Sequence, residues 1–153
     1  MRYFTKELWS RINDSNENIR SQAEKEWNAN SLTYQQQFTK VKKHLPCGFV
    51  KSFLSRNGLH DYTILSALIA KRKQTSCCDL QLSNGEETVI VTMVGIKALF
   101  VNMNSFHSCV QGKLLWGYSE FEITPDNNIK LSILCDIQNE MQFEFKQIKL
   151  TVQ

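Results

Sequence analysis

Apolar residues recur with a helical period up to about residue 58 and with a strand period after it. In the first part, most steps between apolar residues are three or four positions, which places these residues on one face of a helix. This apolar seam comprises Ile19, Ala23, Trp27, Tyr34, Phe38, Val41 and Leu45. The spacing therefore predicts one long helix within residues 1–58.

Capping and breaking residues predict where the helices begin and end. Thr5 is a candidate N-cap for a short first helix, and Asp14, followed by Glu17, resembles the start of the long helix. Pro46 ends the long helix because its ring disfavours helical backbone at the residue before it. A short third helix then extends to a stop signal at Gly58. We therefore expect two or three helices, one of them long.

After Gly58, short runs of apolar residues are separated by turn residues. Residues 62–70 and 88–94 are apolar on both faces, and the second run is predicted to be a central strand. Asn84-Gly85 is a strong hairpin signal, and Gly95 predicts a bulge or bend. The apolar residues change parity late in the chain, which predicts a further bulge near Lys146 and Gln147.

These patterns predict a single α+β domain over residues 1–153, with a helical part at 1–58 packed on a β part at 59–153. Six or seven strands joined without helical crossovers favour an antiparallel sheet, curled into a sandwich or a partial barrel. The chain length fits one domain. The contents of apolar residues (42%) and charged residues (22%) are those of an ordinary globular protein.

The sequence also predicts a cytoplasmic location without membrane association. No apolar run approaches the roughly 18–20 residues that span a bilayer, and MRYFTKELWSRIND lacks the apolar core of a signal peptide. The five cysteines are an odd number with irregular spacing, which is a poor disulfide framework.

The net charge of +3 is unevenly distributed. Residues 1–58 carry ten basic and five acidic side chains, hence +5, whereas residues 59–153 carry eight and ten, hence −2. Lys42 and Lys43 belong to a basic run at the end of the long helix, and Lys71, Arg72 and Lys73 form another at a predicted hairpin turn. Both runs could contact phosphates, but no nucleic-acid-binding motif accompanies them, so solvated surfaces are the favoured interpretation.

The sequence GLHDY contains the His-Asp pair that serves as a metal dyad in some phosphohydrolases. A small hydrolase or metal-dependent enzyme would use His60 and Asp61 together with either Cys47 or His107. Cys47 lies at a predicted helix N-terminus, a position at which cysteine thiols can be reactive. The favoured interpretation is structural: Asp61 satisfies backbone donors in a turn, and His60 packs at the edge of the sheet. No metal ligands with zinc spacing are present.

Aromatic residues and carboxylates alternate along one predicted strand. Trp116, Tyr118 and Glu120 share a strand face with Glu122, an arrangement that can indicate a sugar site. The simpler interpretation is a solvent face that is available to a partner, and Trp116, Tyr118, Glu120, Lys42 and Lys43 are the candidate binding residues.

Common catalytic signatures are absent: no G-x-G-x-x-G, P-loop, G-x-S-x-G or H-E-x-x-H occurs. The sequence therefore favours a non-enzymatic protein-interaction or regulatory module that needs no cofactor and binds another protein. Two alternatives stay open: the small hydrolase or metal enzyme, and weak nucleic-acid binding through the basic helical part.

Four segments carry a resemblance to a known family: MRYFTKELW, LHDYTIL, WGYSEFEI and MQFEFKQIKL. Together they resemble a domain-of-unknown-function family from Gram-positive bacteria, with a short helical start and a β-rich second half. This resemblance covers most of the chain and implies a fold, without an activity or functional residues. The order of the HD pair, the W-x-Y-x-E strand and the apolar-aromatic closing strand also resembles small β-rich bacterial immunity proteins, which implies a role as an inhibitor of a toxin.

Overall fold

The structure is a computed structural model that describes residues 1–103, 114–135 and 139–153. Three α-helices form the N-terminal part of the described chain: α1 (Lys6–Ile12), α2 (Glu17–Val41) and α3 (Cys47–Leu54). Short 3-10 turns, Lys42–His44 and Asn57–Leu59, follow α2 and α3. The predicted set of two or three helices, one of them long, is therefore confirmed.

The helix boundaries follow from local hydrogen bonds. Thr5 caps α1 as predicted, because its hydroxyl accepts a hydrogen bond from the Leu8 amide at 3.2 Å. Asn16 caps α2 by accepting from the Asn18 amide at 3.0 Å. Asp14, which the sequence suggested as the start of α2, instead accepts from the amide of Asn16 at 2.8 Å. The cap is therefore two residues later than predicted, and Asp14 holds the capping residue in place.

Nine strands follow the helices in the described residues: β1 (Tyr62–Arg72), β2 (Thr75–Ser83), β3 (Thr88–Val94), β4 (Ala98–Met103), β5 (Leu115–Trp116), β6 (Tyr118–Ile123), β7 (Ile129–Leu134), β8 (Asn139–Phe145) and β9 (Gln147–Val152). They form two antiparallel sheets, with strand orders β5-β1-β2-β3-β9 and β4-β8-β7-β6. The α+β class and the antiparallel pairing are confirmed. There are more strands than the predicted six or seven, because two predicted strands are each divided where the chain passes from one sheet to the other.

The sheets are joined where strands bend. The chain leaves the first sheet after β3 at Gly95, which has a φ of 74°, and returns to it after Phe145, between β8 and β9. Val94 pairs with Gln147 and Ala98 pairs with Glu144, so three residues on one strand face two on the other. The bend predicted at Gly95 is confirmed. The extra residue of the bulge lies within residues 95–97, between β3 and β4 and opposite Lys146. The parity changes at Lys146 because the chain passes there from the second sheet to the first.

The core lies between the two sheets and is closed by α3 and the end of α2. Its fully buried members include Leu80, Val91, Trp116, Phe121, Leu131, Phe145 and Leu59. Along β8, buried and half-buried residues alternate, which is the pattern of a strand with one covered face. β3, predicted to be central, lies between β2 and β9. Within the three described ranges, no helix combines the length and the hydropathy needed to cross a membrane.

Candidate functional site

The GLHDY segment forms the junction between α3 and β1. Leu59 and Asp61 both have positive φ angles, 64° and 68°, which residues other than glycine rarely adopt. The junction is held by the Asp61 amide, which donates to the Trp116 carbonyl at 2.9 Å, and by the complete burial of Leu59. Tertiary contacts therefore maintain a backbone conformation that the local sequence alone would disfavour.

The side chains of His60 and Asp61 contact each other. His60 Nδ1 lies 2.9 Å from Asp61 Oδ2, and the imidazole packs edge-on against the ring of Tyr118, with 4.8 Å between the ring centroids. The expected packing of His60 is confirmed. The Asp61 carboxylate, however, contacts an imidazole instead of backbone donors.

His60 forms part of the wall of a cleft of about 520 Å³. Phe4, Tyr34, Phe38, Phe53 and Tyr118 supply most of the remaining wall, with Asn57 and Ser119 as polar neighbours. Its size and its apolar character are those of many small-molecule sites. No lysine, arginine or carboxylate is among the described residues that line it.

Of the residues proposed for a hydrolase or a metal enzyme, the structure brings only His60 and Asp61 into contact. Cys47 is exposed at the start of α3 and is not among the residues that line the cleft. His107 lies outside the described residues. In the part of the chain that the structure describes, no three histidine, cysteine or acidic side chains are grouped closely enough to hold a metal ion.

Glu120 is a buried carboxylate with three backbone donors. Its Oε1 accepts from the amides of Tyr3 and Phe4 at 2.7 and 2.8 Å, and its Oε2 accepts from the amide of Arg2 at 2.8 Å. The side chain is only 2% exposed. Burying a charge is costly unless hydrogen bonds replace water, and the three amides do so. The interpretation of this strand face as solvent-exposed was therefore wrong, since Glu120 anchors the N-terminal segment to β6.

Of the other candidate binding residues on this face, Trp116 is fully buried and Tyr118 is half-buried. Tyr118 contacts Phe4, Trp9 and Trp27, with ring centroids 5.4, 5.1 and 4.5 Å away. Burial raises the pKa of Tyr118, and the nearby Asp61 carboxylate raises it further. This aromatic cluster fixes α1 and α2 on the second sheet. Trp116 and Glu120 are therefore inaccessible to a macromolecular partner.

The basic runs lie at two exposed places. Lys42 and Lys43 occupy the 3-10 turn after α2, and residues 71–73 occupy the tip of the β1–β2 hairpin. Arg72 is paired with Asp79. Burial alone would raise the pKa of Asp79, but hydrogen bonds from Arg72 and Thr92 outweigh it, so the pKa is lowered.

An exposed surface that the sequence did not reveal lies along the outer edge of β1. β1 pairs with β2 from Thr63 to Arg72, apart from Leu65, but with β5 only at Tyr62 and Thr63. Beyond these pairs, Leu65, Leu68 and Ile69 are 53, 58 and 57% exposed. We call residues 65–72 the β1 edge. The pattern of apolar residues on both faces is the same in β1 as in the buried β3, so it did not distinguish an edge strand from a central one.

No family model and no curated protein matches this chain. The resemblances drawn from the sequence therefore stay predictions.

Proposed function

We propose that the protein is a non-enzymatic protein-interaction module whose contact surface is the β1 edge. The exposure of Leu65, Leu68 and Ile69 carries this proposal. Their large apolar side chains lie on one edge strand, and because each is already about half-buried, covering the exposed remainder against a partner is worth about 1 kcal/mol. Grouped apolar side chains on a protein surface commonly mark a site of protein association.

A second group of exposed apolar residues supports the proposal. β4 is the edge strand of the other sheet, and its Leu99, Phe100 and Val101 are 38, 54 and 45% exposed. The chain enters β4 beside the β1–β2 hairpin, because the amides of Gly95 and Ile96 donate to the carbonyl of Ser76 at 2.8 and 3.1 Å. Ser76 pairs in turn with Lys71 of β1. The residues that lead into β4 and the far end of β1 thus lie on opposite sides of the start of β2.

The finer part of the proposal is an immunity-type or regulatory role in the bacterial cytoplasm, and it depends on the sequence resemblance. In such a role the protein would bind one partner tightly and perform no chemistry of its own. A surface of two apolar edge strands suits it, because stable interfaces have an apolar centre that excludes water.

The proposal is tested by affinity capture with two matched variants. Leu68→Lys places a charge on the β1 edge, and Leu32→Lys places the same charge on α2 at a leucine that is 63% exposed. We expect proteins captured by the wild type to be retained by Leu32→Lys and reduced at least tenfold with Leu68→Lys. Equal capture by all three proteins would show that the β1 edge is not the contact surface. Circular dichroism checks that both variants are folded.

A further inference from the structure

Along the β1 edge, the main-chain N–H and C=O groups of successive residues point alternately towards β2 and away from it. Lys73 and Gln74 have φ angles of 45° and 66° and form a two-residue turn between the paired Arg72 and Thr75. In such a turn the flanking pair is hydrogen-bonded, so the N–H and C=O of Arg72 point towards β2. Alternation along the strand then directs the N–H and C=O of Lys71, Ile69 and Ala67 away from β2. No strand of the described residues pairs with them there.

From this arrangement we infer that the β1 edge binds its partner by strand addition, and that the partner supplies an extended segment with two consecutive apolar residues and a nearby acidic residue. The inference rests on the proposed interaction function and specifies its partner. Only an extended segment presents main-chain groups at the spacing that Ala67, Ile69 and Lys71 offer. The β1 edge is about 23 Å long, which is enough for a strand of ordinary length.

The two apolar positions of the partner follow from the side chains of β1. Leu68 pairs with Asp79 and therefore lies on the outer face of the sheet, whereas Ile69 pairs with Cys78 and lies on the core side. An added strand would have one residue beside Leu68 and the next beside Ile69. Both neighbours need to be apolar to cover these exposed side chains.

The acidic position follows from the charges at the hairpin tip. Lys71 has the same parity as Ile69, so a partner residue two positions from the one beside Ile69 would lie beside Lys71. Among the described residues, Lys71 and Lys73 have no ion-pair partner, whereas Arg72 is already paired with Asp79. A carboxylate of the partner would therefore pair with free ammonium groups and would fix the register of the added strand.

The protections that usually block an edge strand are confined to the two ends of the β1 edge. A bulge lies at Leu65, where the register with β2 shifts, and the lysines lie at the hairpin tip. Residues 66–70, Ser-Ala-Leu-Ile-Ala, contain neither proline nor a charged side chain. An exposed strand of this kind pairs readily with another chain, which is a liability unless such pairing is the strand's function.

Strand addition is tested with phage-displayed random 12-residue peptides selected on the purified protein. Ala67→Pro removes an outward N–H without removing a bond to β2, and proline is tolerated in an edge strand at such a position. Ala67→Val keeps the N–H and is the matched control. We expect selected peptides to contain the apolar pair and the acidic residue, to bind Ala67→Val like the wild type, and to bind Ala67→Pro at least tenfold more weakly.

A second variant keeps the inference testable if Ala67→Pro does not fold. Lys71→Glu reverses one charge at an exposed position, so peptides selected on it should carry Lys or Arg in place of the acidic residue. Selection of no peptides, or of peptides that bind Ala67→Pro normally, would overturn strand addition. A wild-type dimer that Ala67→Pro converts to a monomer would overturn the inferred partner, because the added strand would then be the β1 edge of a second copy, which contains no acidic residue.

The failures of the two proposals are distinguishable. If Leu68→Lys abolishes capture of cellular proteins while Ala67→Pro leaves it intact, the interaction surface stands and strand addition is wrong. If the peptides bind the β1 edge but Leu68→Lys leaves cellular capture unchanged, the edge can accept a strand and the proposed interaction function is wrong.

Discussion

Replacing Glu120 with glutamine should weaken the attachment of the N-terminal segment to the second sheet. Oε1 of Glu120 accepts two amide hydrogen bonds, and Oε2 accepts one from Arg2 at 2.8 Å. Glutamine has almost the same shape, but it carries no charge. If its oxygen takes the place of Oε1, its NH₂ group faces the Arg2 amide, and two donors then meet where a donor met an acceptor.

The expected cost follows from these three bonds. Losing a hydrogen bond to a charged group costs about 1.5–3 kcal/mol. The bonds to Tyr3 and Phe4 survive but become neutral and weaker. The free energy of unfolding of Glu120→Gln should therefore fall by about 3 kcal/mol. For a chain of this length, that change lowers Tm by roughly 6–12 °C.

Urea denaturation measures the global loss, and amide hydrogen exchange locates it. Protection of the amides of residues 2–4 should fall by about a hundredfold, because every 1.4 kcal/mol is a factor of ten. Glu122→Gln is the matched control on the same strand. Its side chain is 35% exposed and lies 3.8 Å from Lys130, so its removal should cost less than about 0.5 kcal/mol. If the two variants unfold with the same free energy, the carboxylate of Glu120 is not an anchor.

Three further outcomes are expected. Gly117→Ala should lower the free energy of unfolding in urea by more than about 3 kcal/mol, because the new Cβ would lie 2.4 Å from the Leu134 carbonyl oxygen. The control Gly48→Ala, whose Cβ would have nothing within 4 Å, should not destabilise the protein. Equal free energies of unfolding for the two variants would refute the clash. Replacing Lys73 by Asn together with Gln74 by Gly should raise the free energy of unfolding by about 1 kcal/mol, since both residues have positive φ, and a loss would contradict the turn assignment. Hydrogen bonds from Arg56 hold the pKa of Glu87 below its ordinary value, so the folded chain binds fewer protons at this carboxylate than the unfolded chain does. The stability that Glu87 gives is therefore lost as the pH falls through the folded pKa. The free energy of unfolding should therefore fall between about pH 5 and pH 3, and fall less in Glu87→Gln; identical slopes would refute this role.

Local features of the fold could be predicted because they depend on neighbours in the sequence. Thr5 caps α1 as expected, and α3 begins directly after Pro46. Asn84 accepts from the amides of Glu86 and Glu87 and so forms the predicted turn before β3. In each case the hydrogen-bonding side chain and its partner are at most three residues apart, or the proline acts on its own backbone.

The candidate sites were harder to predict because their partners are distant in the chain. Glu120 lies 116–118 residues from the amides that it binds. Nothing in the alternation of apolar and polar residues along β6 indicates that main-chain N–H groups cover this carboxylate. His60 was expected to pack at the junction, but its contact with Tyr118 depends on β6 being placed beside it. Such pairs are set by the arrangement of the sheets.

The sequence by itself determined the change from helices to strands at Gly58 and the positions of the main turns. A period of hydrophobicity records which faces of an element are covered, and caps and turns are local. Only the tertiary structure decided that β1 is an edge strand while β3 is central. Both strands are apolar on two faces, and the number of neighbouring strands is fixed by hydrogen bonds to segments elsewhere in the chain. For that reason the surface on which the proposed function depends could be found only once the strands were paired.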